Sequence, residues 1–172
     1  MRKRPHYIVD GYNLIHVWEE INIEDLALAR EKLIRILQEY GGYENFEITL
    51  VFDAGNTDED ERIEIYSNIF RVIYSGYGET ADNVIERLSF EQVRKNRQVH
   101  VVSSDAVIET VILGAGAYRH PSKEFYRAVK RAKKHLQKEY LGNVTLPVKR
   151  NEVADFIDED VFAELEKMRR QK

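Results

Sequence analysis

The chain has 172 residues, enough for one well-filled core and short for two, since domains commonly run about 100 to 200 residues. It contains no cysteine, which excludes disulfides, thiolate metal sites and cysteine nucleophiles and fits a reducing, cytoplasmic compartment. A net charge of −4 excludes a protein that coats nucleic acid by bulk charge, so any such binding must come from local patches.

The basic N-terminus, Met1 to Pro5, leads into a short apolar run with no long hydrophobic region or small-residue cleavage site behind it. Nothing approaches the roughly 20 apolar residues of a membrane span, so neither secretion nor a membrane partner is expected. Tyr7-Ile8-Val9 stops at Asp10-Gly11, and three later runs share its β-branched and aromatic character: Ile48 to Phe52, Phe70 to Tyr74 and Val99 to Val102. These four are read as strands. Between the first two, Leu26, Ala29, Leu33, Ile36, Leu37 and Tyr40 recur at helical spacing, and Gly41-Gly42 is expected to stop that helix. Thr80 is placed to cap a helix carrying Val84, Ile85 and Leu88, and Asp105 to open a segment from Ala106 to Leu113.

Ser122 is placed to cap a long helix in which Phe125, Val129, Ala132, Leu136 and Tyr140 form an apolar stripe. A final edge strand is expected over Val144 to Val148, with Pro147 arguing against a central position, and a polar helix over Asp158 to Arg169. Alternating strand and helix predict a single α/β domain over 1–172 with a mainly parallel, doubly wound sheet, whose ligands bind outside the carboxyl ends of the strands.

The acids fall where that edge should be. Asp10 ends the first strand, Asp53 follows the second, Asp82 sits early in the helix after the third, and Asp105 follows the fourth. Gathered carboxylates repel, so the group needs raised pKa values or a cation. Hard oxygen donors favour Mg²⁺ or Mn²⁺ over zinc. Such an ion suits phosphodiester hydrolysis, and helix N-termini at Thr80 and Asp105 would turn N–H groups towards the phosphate. Each acid also has a plainer reading, as a turn former before glycine or a helix-start residue favoured by the dipole. Asn13 could orient Asp10 or a water through its amide, and Ser103 and Ser104 could support a carboxylate or phosphate.

Between Arg119 and Lys138 the chain is strongly basic, with Lys123, Arg127, Lys130, Arg131, Lys134 and Lys138 as candidate RNA contacts on a helix of about 123–140. Tyr118 and Tyr126 are candidates for stacking on unpaired bases, although Tyr126 could equally be packed. The histidines His6, His16, His100, His120 and His135 are scattered without metal-ligand spacing, and none is assigned to catalysis.

The segments Tyr7-Ile8-Val9-Asp10-Gly11-Tyr12-Asn13, Val51-Phe52-Asp53-Ala54-Gly55, Glu79-Thr80-Ala81-Asp82 and Val102-Ser103-Ser104-Asp105, in that order, resemble the YacP-like branch of the NYN domain family, within the PIN-like nucleases. The resemblance runs from Tyr7 to Leu146. It implies a PIN-like fold, Mg²⁺- or Mn²⁺-dependent endoribonuclease activity and catalytic acids at Asp10, Asp82 and Asp105, with Asp53 as a supporting residue. It also implies the ribosome as a partner and messenger RNA as substrate, because bacterial members of this branch cleave messenger RNA during translation.

Three other readings stand beside it. A module that holds RNA or the ribosome without cutting would bind undiminished after Asp10→Asn. A response-regulator receiver fits poorly, since Asp10 has no adjacent acid and no lysine ends a late strand. A DNA-cleaving enzyme would use the same acids, because only contacts to the 2′-OH separate the two substrates. Oligomeric state, number of ions and cleavage sequence are left open.

Overall fold

The computed structural model describes residues 4–55 and 57–143. Strand β1 (His6–Asp10) passes directly into the short helix α1 (Gly11–His16), and Asp10 both ends the strand and caps the helix by accepting from the Asn13 amide. Glycine is required at position 11 for space, because a Cβ there would stand 2.3 Å from the Phe52 ring.

Helix α2 (Leu26–Glu44) is capped by Asp25 and buries Ala29, Leu33, Ile34 and Leu37. Gly41-Gly42 does not stop it. The helix runs through both and ends at Asn45, whose left-handed φ of 58° lets its N–H return to the Gly41 carbonyl, a C-terminal role that asparagine shares with glycine. Gly41 instead lets β2 (Glu47–Phe52) come close, since a Cβ there would meet Ile48 Cδ1 at 3.0 Å.

There follow β3 (Arg62–Ile65), β4 (Phe70–Tyr74), α3 (Ala81–Arg94), β5 (Val99–Val102), α4 (Ala106–Ala115), β6 (Tyr118–His120) and α5 (Ser122–Asn143). The four expected strands are present as β1, β2, β4 and β5. The two unexpected ones, β3 and β6, are short edge strands whose side chains are mostly outside the core, so they lack the apolar run that marks a buried strand.

The sheet order is β3-β4-β2-β1-β5-β6, all neighbours parallel except β3 and β4. From β1 the chain first builds outward through β2 to β4 and β3, then returns to place β5 and β6 on the other side. The order therefore reverses at β1, and the crevice at such a point is where open α/β sheets bind ligands. Alternate residues of each strand feed opposite layers. Val9, Leu50, Val72 and Val102 pack with α1, α2 and the start of α5, and Ile8, Val51, Ile73 and Val101 pack with α3 and α4.

Contacts divide the chain into two compact units, 1–134 and 135–172. The sheet and its covering helices belong to the first. Phe125, Tyr126 and Val129 of α5 are buried, whereas Ala132 and Leu136 are half-buried and Tyr140 is exposed, so the predicted apolar stripe faces the core only over its first turns. The expected strand at Val144 to Val148 and the helix at Asp158 to Arg169 lie outside the described residues. Among those residues no helix is long and apolar enough to cross a membrane.

Candidate active site

Because β1, β2, β4 and β5 are parallel, the residues that follow them emerge at one edge. Asp10 closes β1, Asp53 follows β2, Asp82 lies in the first turn of α3 and Asp105 caps α4 directly after β5. All four are half-buried. Burial pushes the Asp10 carboxyl up to about 6, with the charges of Asp82, Asp105 and Asp53 adding to the rise against the Asn13 amide, which lowers it. Asp82 is raised as well, by burial and then by Asp105 and Asp53.

Each anchor has a local cause. One Asp53 oxygen accepts from the Gly55 amide at 2.7 Å and the other from the Ala81 amide at 3.4 Å, which ties the end of β2 to the start of α3. Thr80 caps α3 through the Asn83 amide at 3.3 Å. Asp105 accepts from Val107 N–H at 2.8 Å, and its own N–H donates to the buried Ser103 hydroxyl at 3.1 Å. Capping and clustering thus coincide at Asp10 and Asp105, so the plainer reading of these acids describes how they are held.

Asn13 joins three elements. Its side-chain oxygen accepts from the Ser104 amide at 3.0 Å and from the Ser122 hydroxyl at 2.5 Å, while the Ser104 hydroxyl accepts from the Ser122 amide at 3.1 Å. A backbone N–H can only donate, so the Asn13 oxygen is fixed on that side and its NH₂ remains the donating end. Ser122 was expected to cap α5, but it is the first helical residue, and the Glu124 and Phe125 amides close on the Pro121 carbonyl. Its hydroxyl serves Asn13 instead. Sequence spacing carries no signal for that bond.

Among the described residues none of the four aspartates forms an ion pair, and no three acidic or histidine side chains converge into a closed metal cage as they stand. The donor set nevertheless fits Mg²⁺ or Mn²⁺. It is all hard oxygen, it carries uncompensated negative charge, and Mg²⁺ in particular is commonly held by one or two carboxylates, with waters and substrate phosphates completing its shell.

The basic candidates divide. Lys123, Arg127, Arg131, Lys134 and Lys138 are exposed, whereas Lys130 pairs with Glu20 and donates to Tyr126 at 3.0 Å. Tyr126 is buried against Trp18 and bonds Glu20, so it cannot stack on a base, while Tyr118 is exposed and lies against His100. The histidines are not all scattered. His100 and His120, on adjacent strands, are hydrogen-bonded at 2.8 Å, and burial then the neighbouring ring lower His100 to about 4.

Residues 7–170 match the model of the YacP-like NYN domain. The chain belongs to the YacP-like NYN domain family. It is 30% identical to YacP of Bacillus subtilis (strain 168) over 166 residues, covering 95% of both chains. Two crystal structures of Rae1 (YacP) from Bacillus subtilis are similar throughout. One, of a mutant, gives a TM-score of 0.66 at 26% identity and covers 95% of this chain and 99% of the other. The second gives 0.65 at 29% identity and covers 96% and 94%. The YacP-like NYN domain therefore has the expected PIN-like α/β fold, in a family of nucleases that generally use divalent metal.

Proposed function

We propose that this chain is a divalent-metal-dependent endoribonuclease that hydrolyses phosphodiester bonds of messenger RNA in association with the ribosome. The observation that supports the reading is the placement at one edge of the sheet, beside its switch point, of four aspartates that form no ion pair among the described residues, in a chain whose family is nuclease-like. Asp10, Asp82 and Asp105 would hold Mg²⁺ or Mn²⁺, with Asp53 setting the start of α3 and adding negative charge. A bound ion supplies neutralisation of the scissile phosphate and acidifies an attacking water.

The chain's own groups do the rest. Asn13 holds Asp10 through its backbone N–H and keeps its NH₂ as a donating end, which suits it to orient the attacking water or a phosphate oxygen. The N-termini of α3 and α4 turn backbone donors towards the anion. Lys123, Arg127, Arg131, Lys134 and Lys138 offer sequence-independent phosphate contacts, which suit a substrate delivered by a partner. The ribosome as partner follows from the resemblance carried by the four motifs around Asp10, Asp53, Asp82 and Asp105.

The test is incubation of purified protein with labelled RNA and with translating ribosomes, in Mg²⁺, Mn²⁺ or EDTA, beside Asp10→Asn and Asp82→Asn. Cleavage by wild type, abolished by EDTA and by either variant, is expected. Retained binding without cleavage under every condition would replace the nuclease by an RNA-holding module.

A further inference from the structure

We propose that a polar cleft adjoining Asp53 binds one nucleotide of the RNA strand next to the scissile phosphate, with Arg30 as its phosphate contact; this rests on the nuclease reading above. The cleft measures about 210 Å³ and is open to solvent on one side. Ala54 and Ser75 both line it, the Ala54 amide donates to the Ser75 hydroxyl at 3.0 Å, and Ala54 directly follows Asp53. Cleft and acid cluster therefore share one segment of chain.

Arg30, on α2, is half-buried, donates to the Tyr12 hydroxyl at 2.9 Å and has no ion pair among the described residues. A partly desolvated guanidinium with unfilled donors is costly, and a phosphate oxygen pair matches its planar fork. Arg62 lies 4.3 Å over the Tyr74 ring and shares its charge with Glu64 at 3.3 Å. Glu59 and Asp60 also line the cleft and offer acceptors. A bare anion would meet both signs of charge there. A nucleotide meets arginine with its phosphate and the carboxylates with its sugar hydroxyls or base N–H groups, so it complements the whole lining.

The walls are braced. The Tyr77 amide donates to the Glu59 carbonyl at 2.8 Å, and at Gly76 a Cβ would stand 2.5 Å from the Glu61 nitrogen, so the two loops touch backbone to backbone.

The experiment measures binding of a short labelled single-stranded RNA to the full chain in EDTA over a series of salt concentrations. Arg30→Gln is expected to weaken binding about tenfold and to reduce the salt slope by about one, with Arg30→Lys restoring most of the slope. Arg62→Glu is expected to weaken binding by a similar factor without touching α2, which keeps the test valid if Arg30→Gln melts early. Inorganic phosphate at the RNA concentration is expected not to displace the RNA; displacement would make the cleft a simple anion site and overturn the proposal. Wild-type affinity in both Arg30→Gln and Arg62→Glu would overturn it too, and metal-dependent cleavage retained by those variants would leave the nuclease reading standing. Absence of RNA binding by wild type would overturn the cleft proposal, while the nuclease reading stands or falls by the metal-dependent cleavage assay.

Discussion

The Ser122 hydroxyl donates to the side-chain oxygen of Asn13 at 2.5 Å, across 109 positions of chain. This bond locks the first turn of α5 to the residue that holds Asp10 through its backbone amide. Ser122→Ala removes it and leaves the Asn13 oxygen with one partner, at a cost of about 1 kcal/mol. The expected result is a melting temperature lower by a few degrees and cleavage slowed about tenfold, read by calorimetry and single-turnover RNA cleavage. Asn13→Ala is expected to slow cleavage more than it lowers the melting temperature.

Asp10→Asn tests the charge of the cluster without cleavage. The folded carboxyl titrates at about 6, above its ordinary value of 3.8, so burial of the ionised form costs stability in full above the folded value and nothing below the ordinary one. In EDTA at pH 7 to 8 the variant is expected to be more stable than wild type, by about 1–3 kcal/mol before allowance for solvent screening. The gain should vanish near pH 4. Millimolar Mg²⁺ or Mn²⁺ should raise the melting temperature of wild type and much less that of the variant. A variant less stable than wild type at neutral pH would contradict the cost of burying this charge beside the other aspartates.

At the opposite end of β1, His6 is fully buried and bonds the Thr49 hydroxyl at 2.8 Å. Burial, opposed by Glu47 and aided by Arg97 and Arg71, lowers it to about 4. The unfolded chain binds the proton first, so stability is intact above about 6.5 and falls as pH drops towards 4. Chemical denaturation between pH 7 and 4 should show a loss on the order of 2 kcal/mol from this group, which His6→Gln should remove. Equal acid sensitivity in the two proteins would assign the loss elsewhere.

Gly11→Ala places a methyl 2.3 Å from the Phe52 ring. Overpacking of this kind costs about 1–3 kcal/mol. The denaturation midpoint should fall, and a second change, Phe52→Leu, should recover part of it by vacating the ring's space. Because Gly11 adjoins Asp10, cleavage should drop further than stability alone accounts for.

The elements legible in the sequence were those with a local signature. The runs at Tyr7, Ile48, Phe70 and Val99 are apolar and β-branched because both faces of their strands are covered, and Thr80 and Asp105 announce helix starts by capping chemistry that acts over two or three residues. Gly41-Gly42 misled because its small size serves the approach of Ile48, a contact made by the fold. Arg62–Ile65 and Tyr118–His120 became strands by adding to existing edges, which depends on the neighbouring strand more than on their own residues.

The sequence by itself determined the alternation of strand and helix, and therefore that Asp10, Asp53, Asp82 and Asp105 would emerge on one edge, because parallel strands point their carboxyl ends the same way. Tertiary structure alone decided the meeting of Asn13 with Ser104 and Ser122, the pairing of His100 with His120, the burial of Tyr126, the engagement of Lys130 by Glu20 and the cleft around Arg30. Apolar periodicity records which face of an element is covered, an averaged property of many residues. A hydrogen bond between two side chains far apart in sequence depends on a placement good to a fraction of an ångström, and that placement exists only once the layers have packed.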